Sequence, residues 1–144
     1  DASIGGKNGI DAGIYKNMLG TINQPNFILH DYSFLKTLPV DEWKNGFAEI
    51  IKHACIKDPS MFNLLKTKNI SFFKKNTNEL SKLIYRNAII KLGYVIADEF
   101  EKGDRKLLNF GHTIGHAIEN QFGISHGEAI SLGMVCAAKI SKQK

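Results

Sequence analysis

The sequence predicts a mainly α-helical domain with one short strand segment near the amino terminus. Three observations carry that prediction. Apolar residues recur at helical spacing in successive segments beyond Pro39. Proline, Asp and Thr stand where those segments begin, as helix starts require. Strand character is confined to Asn26 to Asp31, where Phe27, Ile28 and Leu29 follow the turn signal Gln24-Pro25.

Residues 1 to 20 hold Gly5-Gly6-Lys7-Asn8-Gly9, Lys16-Asn17 and Gly20. Glycines beside lysines let a backbone approach an anion, although the pattern is neither a Walker motif nor a dinucleotide-binding turn, and a plain surface loop explains it as well. From Asp41 to Lys57, Trp43, Phe47, Ile50, Ile51 and Ala54 form an apolar stripe, with Glu49, Lys52, His53 and Ile56 on the other side. Asp58-Pro59 caps and opens a short helix to about Thr67. Asn69 to Asn76 is a link or another short helix. Thr77 reads as the cap of a long helix to about Phe100 whose buried stripe is Leu80, Leu83, Ile84, Ala88 and Val95. Lys91 projects into that stripe, so its ammonium either snorkels to water or meets an anion. Gly103 stops the helix, and Gly127 to Ser141 is a last helix of small apolar residues (Ala129, Gly133, Val135, Ala137, Ala138) that neighbours should bury.

Composition narrows the function classes. The chain has 144 residues, 43% hydrophobic and 23% charged, with a net charge of +5. Its 19 Lys and Arg form no single basic run, which argues against a nucleic-acid surface and suits a basic cleft for a phosphorylated or carboxylated small molecule. Cys55 and Cys136 lie within apolar helical patterns and read as core thiols, not a disulfide frame, which points to a reducing, cytoplasmic setting. No apolar run reaches membrane length and no signal peptide is visible. Asp1 is not an initiator Met and the last helix has no closing element, so the chain reads as a piece of something longer.

The chemistry concentrates between Leu108 and Glu128. Three of the five histidines fall there. At about 100° per residue, His112, His116 and Glu119 share one helical face, and Phe110, Ile114 and Ile118 the opposite one. His126 follows a turn-like Gly123-Ile124-Ser125 that could fold it back. Zinc accepts imidazole and carboxylate ligands and leaves a position open in catalytic sites. Two histidines would need a carboxylate from elsewhere, and Glu49 is a candidate, although with Lys52 at i, i+3 it is also explained as a surface ion pair.

Taken together, these blocks resemble the 3-dehydroquinate synthase family. The resemblance rests on Gly5-Gly6-Lys7, Lys16-Asn17, Gln24-Pro25, Leu38-Pro39, Ala48-Glu49-Ile50-Ile51-Lys52, Asp98-Glu99, Arg105 through Asn109, Gly111 through Glu119, and His126-Gly127-Glu128-Ala129. It implies that Glu49, His112 and His126 bind zinc or cobalt. It further implies that Asp1, Lys7, Asn17, Lys52, Lys91, Arg105, Asn109 and His116 hold the substrate or assist proton transfer. Lys7, Lys16, Phe34, Leu35, Lys36 and Thr37 match parts of an NAD site. In this family NAD transiently oxidises a hydroxyl of 3-deoxy-D-arabino-heptulosonate 7-phosphate, phosphate is eliminated, the ketone is reduced again, and the ring opens and recloses by an aldol step. The resemblance implies a homodimer in the full-length enzyme, with no nucleic-acid or membrane partner.

It also implies a division of the chain: 1–38 ends a nucleotide-binding domain and crosses between domains, and 39–144 is the helical metal- and substrate-binding domain. Most of the nucleotide-binding domain and the end of the helical one are missing from the pattern, so the fragment alone is expected to be inactive. Other readings are a related sugar-phosphate cyclase such as 2-epi-5-epi-valiolone synthase, an iron-dependent alcohol or glycerol dehydrogenase, or a non-catalytic helical binding module. Lys7, Lys52, Lys91 and Arg105 argue against the dehydrogenases.

Overall fold

The computed structural model describes residues 2–13 and 15–143, apart from the side chains of Asp11 and Lys16. Among the described residues, an antiparallel hairpin of β1 (Ile10–Ala12) and β2 (Tyr15–Leu19) precedes six α-helices. These are α1 (Val40–Lys57), α2 (Pro59–Thr67), α3 (Ile70–Lys75), α4 (Thr77–Ala97), α5 (His112–Phe122) and α6 (His126–Ser141). Tyr32–Thr37 and Asp104–Asn109 are 3-10 segments. The mainly helical architecture is the one expected. Among the described residues, no helix is long and apolar enough to cross a membrane.

The strand, however, is not where it was expected. Asn26 to Asp31 is irregular, with Phe27 and Leu29 more than 80% exposed. Pairing occurs upstream, Ile10 opposite Leu19 and Ala12 opposite Tyr15, and an isolated bridge joins Lys7 to Ile22. A strand needs a partner as well as propensity. Gly13, at φ 61°, turns β1 back onto β2, whereas 26–31 meets no partner strand among the described residues.

Helix ends obey the local chemistry. Asp41 and Glu42 sit in the first turn of α1 and Lys57 in its last, complementing the helix dipole. Asp58 accepts the Met61 N–H at 2.9 Å to cap α2, and Arg86 of α4 pairs with the same carboxylate. Asn69 caps α3 through the Phe72 N–H, which settles the 69–76 stretch as helical. At α4 the cap position falls on Asn76, not Thr77. The helix stops at Ala97, before Phe100, because the Asp98 carboxylate collects the N–H groups of Lys102, Gly103 and Arg105 at 2.9, 2.7 and 3.2 Å.

The core gathers Trp43, Phe47, Ile50 and Ala54 of α1 with Met61, Phe73, Leu80 and Leu83. The Phe47 and Phe73 rings meet at 5.5 Å, tilted by 50°. Helix α1 packs on α2, α3, α4 and α6, so burial extends beyond one stripe. Lys52 and His53, placed by the sequence on the open side, are 3% and 1% exposed, while Ile51 is only half-buried.

A second packing unit joins α5 to α6. The side of α5 that meets α6 is Gly111 and Gly115, and Phe110, Ile114 and Ile118 are only partly buried. A Cβ on Gly133 would lie 2.1 Å from the Gly111 carbonyl oxygen, so only glycine lets the two backbones touch. In α6, Ala129, Ile130, Gly133 and Met134 are buried, whereas Val135 and Ala138 are exposed, against expectation. The core-thiol expectation also fails: Cys55 and Cys136 are both exposed, each on the helix flank beside a buried Ala54 or Met134 turn.

Candidate metal centre

Three helices deliver the candidate ligands. Glu49 comes from the middle of α1, His112 opens α5, and His126 opens α6. Gly127 explains how α6 docks on α1. Its N–H donates to Asn45 Oδ1 at 2.9 Å, and a Cβ there would lie 2.5 Å from Asn45 Cα. The next residue back, His126, is thereby set beside Glu49. Gly111, at φ 80°, performs the same service for His112, seated against the Met134 backbone in a conformation that favours glycine.

Glu49 Oε1 lies 3.4 Å from His112 Nε2 and 3.7 Å from His126 Nε2. Ligand bonds of about 2.0–2.1 Å to zinc imply about 3.3 Å between neighbouring donors of a tetrahedron. The three groups therefore stand at coordination spacing. Their hydrogen bonds say more. His112 Nδ1 faces the Phe110 carbonyl oxygen at 3.3 Å, and His126 Nδ1 faces Glu119 Oε2 at 3.4 Å. Both partners are acceptors only, so each Nδ1 carries a hydrogen and each neutral ring turns its Nε2 lone pair toward Glu49 Oε1. That oxygen is itself buried and without a hydrogen-bond partner. Lone pairs confronting a carboxylate oxygen repel unless a proton or a cation lies between them.

Where a proton and not a cation fills that gap, the imidazoles donate to Glu49, and the electrostatics follow. Burial pushes the Glu49 carboxyl up, but His112, His126 and Lys52 outweigh it and hold Glu49 well below the usual carboxylate range. Glu49 in turn raises His126 against burial, with Glu119 adding to the rise. Lys52, 2.5 Å from Glu49 Oε2, is lowered because its own burial exceeds what Glu49 returns. An ionised carboxylate and two imidazoles suit a divalent cation.

Beside this trio opens a cavity of about 250 Å³. Its walls bring together Lys7, Asn17, Lys52, Lys91, Arg105 and Asn109 with Glu49, His112 and His116. Burial drops Lys91 to about 8; Glu49 partly offsets this, while Lys52, Arg105 and Lys7 deepen it. Cations crowd one another here, which an anionic ligand would relieve. The Arg105 guanidinium, 3% exposed, donates to the carbonyls of Glu99 and Gly5. It thus pins the glycine-lysine loop to the end of α4. A Cβ on Gly5 would sit 2.5 Å from Arg105 Nη2.

Phe34 to Thr37 does not line this cavity. Phe34 is 75% exposed, and Leu35 borders a separate, more apolar cavity of about 270 Å³ with Trp43 and Phe47. Glu49 contributes to both walls. Asp1 and the Lys16 side chain lie outside the described residues. Three further residues had drawn no role from the sequence. Glu101, at φ 57°, pairs with Lys7 and accepts from Asn109. Asn87 holds buried His53, its Oδ1 2.7 Å from Nδ1. Glu119 receives both His116 and His126. Only Glu119 left a signal, its place on the histidine face.

Comparison with known proteins gives consistent results. The family model described as 3-dehydroquinate synthase C-terminal matches residues 46–144, and the corresponding N-terminal model matches 1–45. The chain is 47% identical to the 3-dehydroquinate synthase of Sulfurisphaera tokodaii, covering 99% of this chain and 42% of that protein. The enzyme of Lactococcus lactis subsp. cremoris is 44% identical over 100% of this chain and 41% of its own length. The chain thus spans about two fifths of the curated relatives it matches. Among solved structures, a 2-epi-5-epi-valiolone synthase of Streptomyces hygroscopicus subsp. jinggangensis, with NAD+ and Zn2+ bound, superposes with a TM-score of 0.83 at 32% identity. That match covers 93% of this chain and 38% of the other. The chain belongs to the 3-dehydroquinate synthase family.

Proposed function

We propose that the protein is the metal- and substrate-binding part of a 3-dehydroquinate synthase. That enzyme converts 3-deoxy-D-arabino-heptulosonate 7-phosphate to 3-dehydroquinate and phosphate in the shikimate pathway of aromatic amino acid biosynthesis. One observation carries the reading: Glu49 Oε1 faces two imidazole Nε2 atoms on the rim of a cavity lined by Lys7, Lys52, Lys91 and Arg105. We assign residues 1–38 to the end of a nucleotide-binding domain and the crossing between domains, and 39–144 to the helical domain. The full-length enzyme works in the cytoplasm as a homodimer.

Ionised Glu49 and the Nε2 atoms of His112 and His126 hold the cation. A bound zinc or cobalt ion supplies Lewis acidity to the reacting hydroxyl, and NAD supplies its transient oxidation. Lys7, Lys16 and Phe34 to Thr37 form part of the NAD site. Lys7, Lys52, Lys91 and Arg105 offset the charge of the substrate's carboxylate and phosphate. Asn17, Asn109 and Asp1 hold its hydroxyls. His116, with Nδ1 on Glu119, offers Nε2 as the base that takes a proton as phosphate departs.

The alternative is a valiolone synthase, which shares the metal site and differs in substrate contacts. The two substrates separate the readings, because sedoheptulose 7-phosphate lacks the carboxylate. A charge-assisted contact contributes about 1.5–3 kcal/mol. Calorimetry on the zinc-loaded protein should therefore find the heptulosonate phosphate bound about 10-fold or more tightly than sedoheptulose 7-phosphate. The reverse order would favour the valiolone synthase. With NAD supplied, the 144 residues by themselves should show little or no phosphate release; robust turnover would contradict the assignment of a part.

A further inference from the structure

We propose that Glu119 is a positioning residue that fixes the tautomer of two histidines at once, the metal-facing His126 and the cavity-lining His116. Its Oε2 lies 3.1 Å from His116 Nδ1 and 3.4 Å from His126 Nδ1. An ionised carboxylate has only lone pairs to offer, so both ring nitrogens facing it carry hydrogens. Each neutral ring then keeps its lone pair on Nε2. For His126 that atom is the one turned to Glu49 Oε1, at 3.7 Å. The inference rests on the metal reading of His126 for its consequence, but not for its geometry.

Helix geometry places the carboxylate deliberately. Glu119 follows His116 by three residues on α5, so the two share a face, and the start of α6 brings His126 against the same oxygen. The two imidazole rings stand 5.7 Å apart. A surface glutamate would be solvated, yet the Glu119 side chain is only 14% exposed, against 40% and 38% for its two partners. A carboxylate behind a ligating imidazole orients the ring and raises its basicity. Here one carboxylate serves two rings, so its loss is felt at the cation and at the cavity together.

Histidine-ring 15N NMR at pH 8 on the metal-free protein reads the tautomers, and cobalt titration reads the affinity. In the wild type, Nδ1 carries a proton in both His116 and His126, and that of His126 stays in place also when Nε2 takes a second proton toward Glu49. Glu119→Ala should mix the tautomers of both rings and weaken cobalt binding by about 10- to 100-fold. Glu119→Met, which fills the same space with only a weakly accepting sulfur, should do the same, and it carries the test if the alanine variant does not fold. Glu119→Gln keeps an accepting carbonyl and should restore the Nδ1–H form in part. Wild-type tautomers together with wild-type cobalt affinity in a folded Ala or Met variant would overturn the proposal. The metal reading fails separately: should Glu49→Ala leave cobalt binding intact, the NMR result on Glu119 would still stand or fall alone.

Discussion

The helical part and the amino-terminal part of this chain are built on different principles. Helices α1 to α4 enclose their own core, with Met61 and Phe73 fully buried. In residues 2–38 only Ile4, Gly5 and Gly6 are buried among the described residues, and Ile10, Tyr15, Met18, Phe27 and Leu29 are exposed. Yet both parts feed one cavity. The helices contribute Glu49, Lys52, Lys91 and the histidines; the amino-terminal part contributes Lys7 and Asn17. They are joined by Arg105 on the Gly5 carbonyl, by Lys7 on Glu101, and by buried Ile4, which borders one pocket with Leu92, Val95 and Ile96 of α4. The candidate cation ligands therefore rest on a packed scaffold, while Lys7 and Asn17 reach the cavity from a part with little core of its own.

The contrast breaks first on stability. Phe73→Ala should cost about 3–5 kcal/mol in denaturant unfolding. Phe27→Ala, at an 82% exposed position, should stay within about 0.5 kcal/mol. Equal losses would mean that the two parts share one core. Next comes the α5–α6 contact. Gly133→Ala forces a methyl against the Gly111 carbonyl and should cost about 1–3 kcal/mol. Because it parts the helices that bear His112 and His126, cobalt affinity should fall with it; unchanged affinity would show that the ligands do not depend on that contact.

A smaller effect concerns pH. Lys91 is charged below about 8 and neutral above it. Binding of inorganic phosphate should therefore weaken as pH rises through about 8, and Lys91→Arg should carry binding to higher pH. The sign for stability is opposite. Between about 8 and the ordinary lysine value of 10.5, the unfolded chain holds the proton that the folded chain has lost, so stability rises with pH in that window. Phosphate affinity flat from pH 7 to 10 would remove Lys91 from the anion site.

Much of this was legible in the residues. The spacing of His112, His116 and Glu119 forecast one face, and the break before His126 forecast its return. Glu49 stayed open between ion pair and ligand; in space Oε2 pairs with Lys52 while Oε1 faces the imidazoles, a placement that accommodates either role. Burial of Lys52 and His53 was hidden because a helix packed by several neighbours obeys no single stripe. The hairpin at Ile10–Leu19 was hidden because pairing depends on a partner and a turn, while Phe27-Ile28-Leu29 had composition alone. The contact of Glu101 with Lys7 joins residues far apart along the chain, which no local pattern records.

The most direct measurement is a cobalt or zinc titration of the wild type beside Glu49→Ala, His112→Ala and His126→Ala, each shown by circular dichroism to be folded. The wild type should show one tight site, lost in all three variants. Undiminished binding in Glu49→Ala and His126→Ala would show that these groups meet for some other purpose.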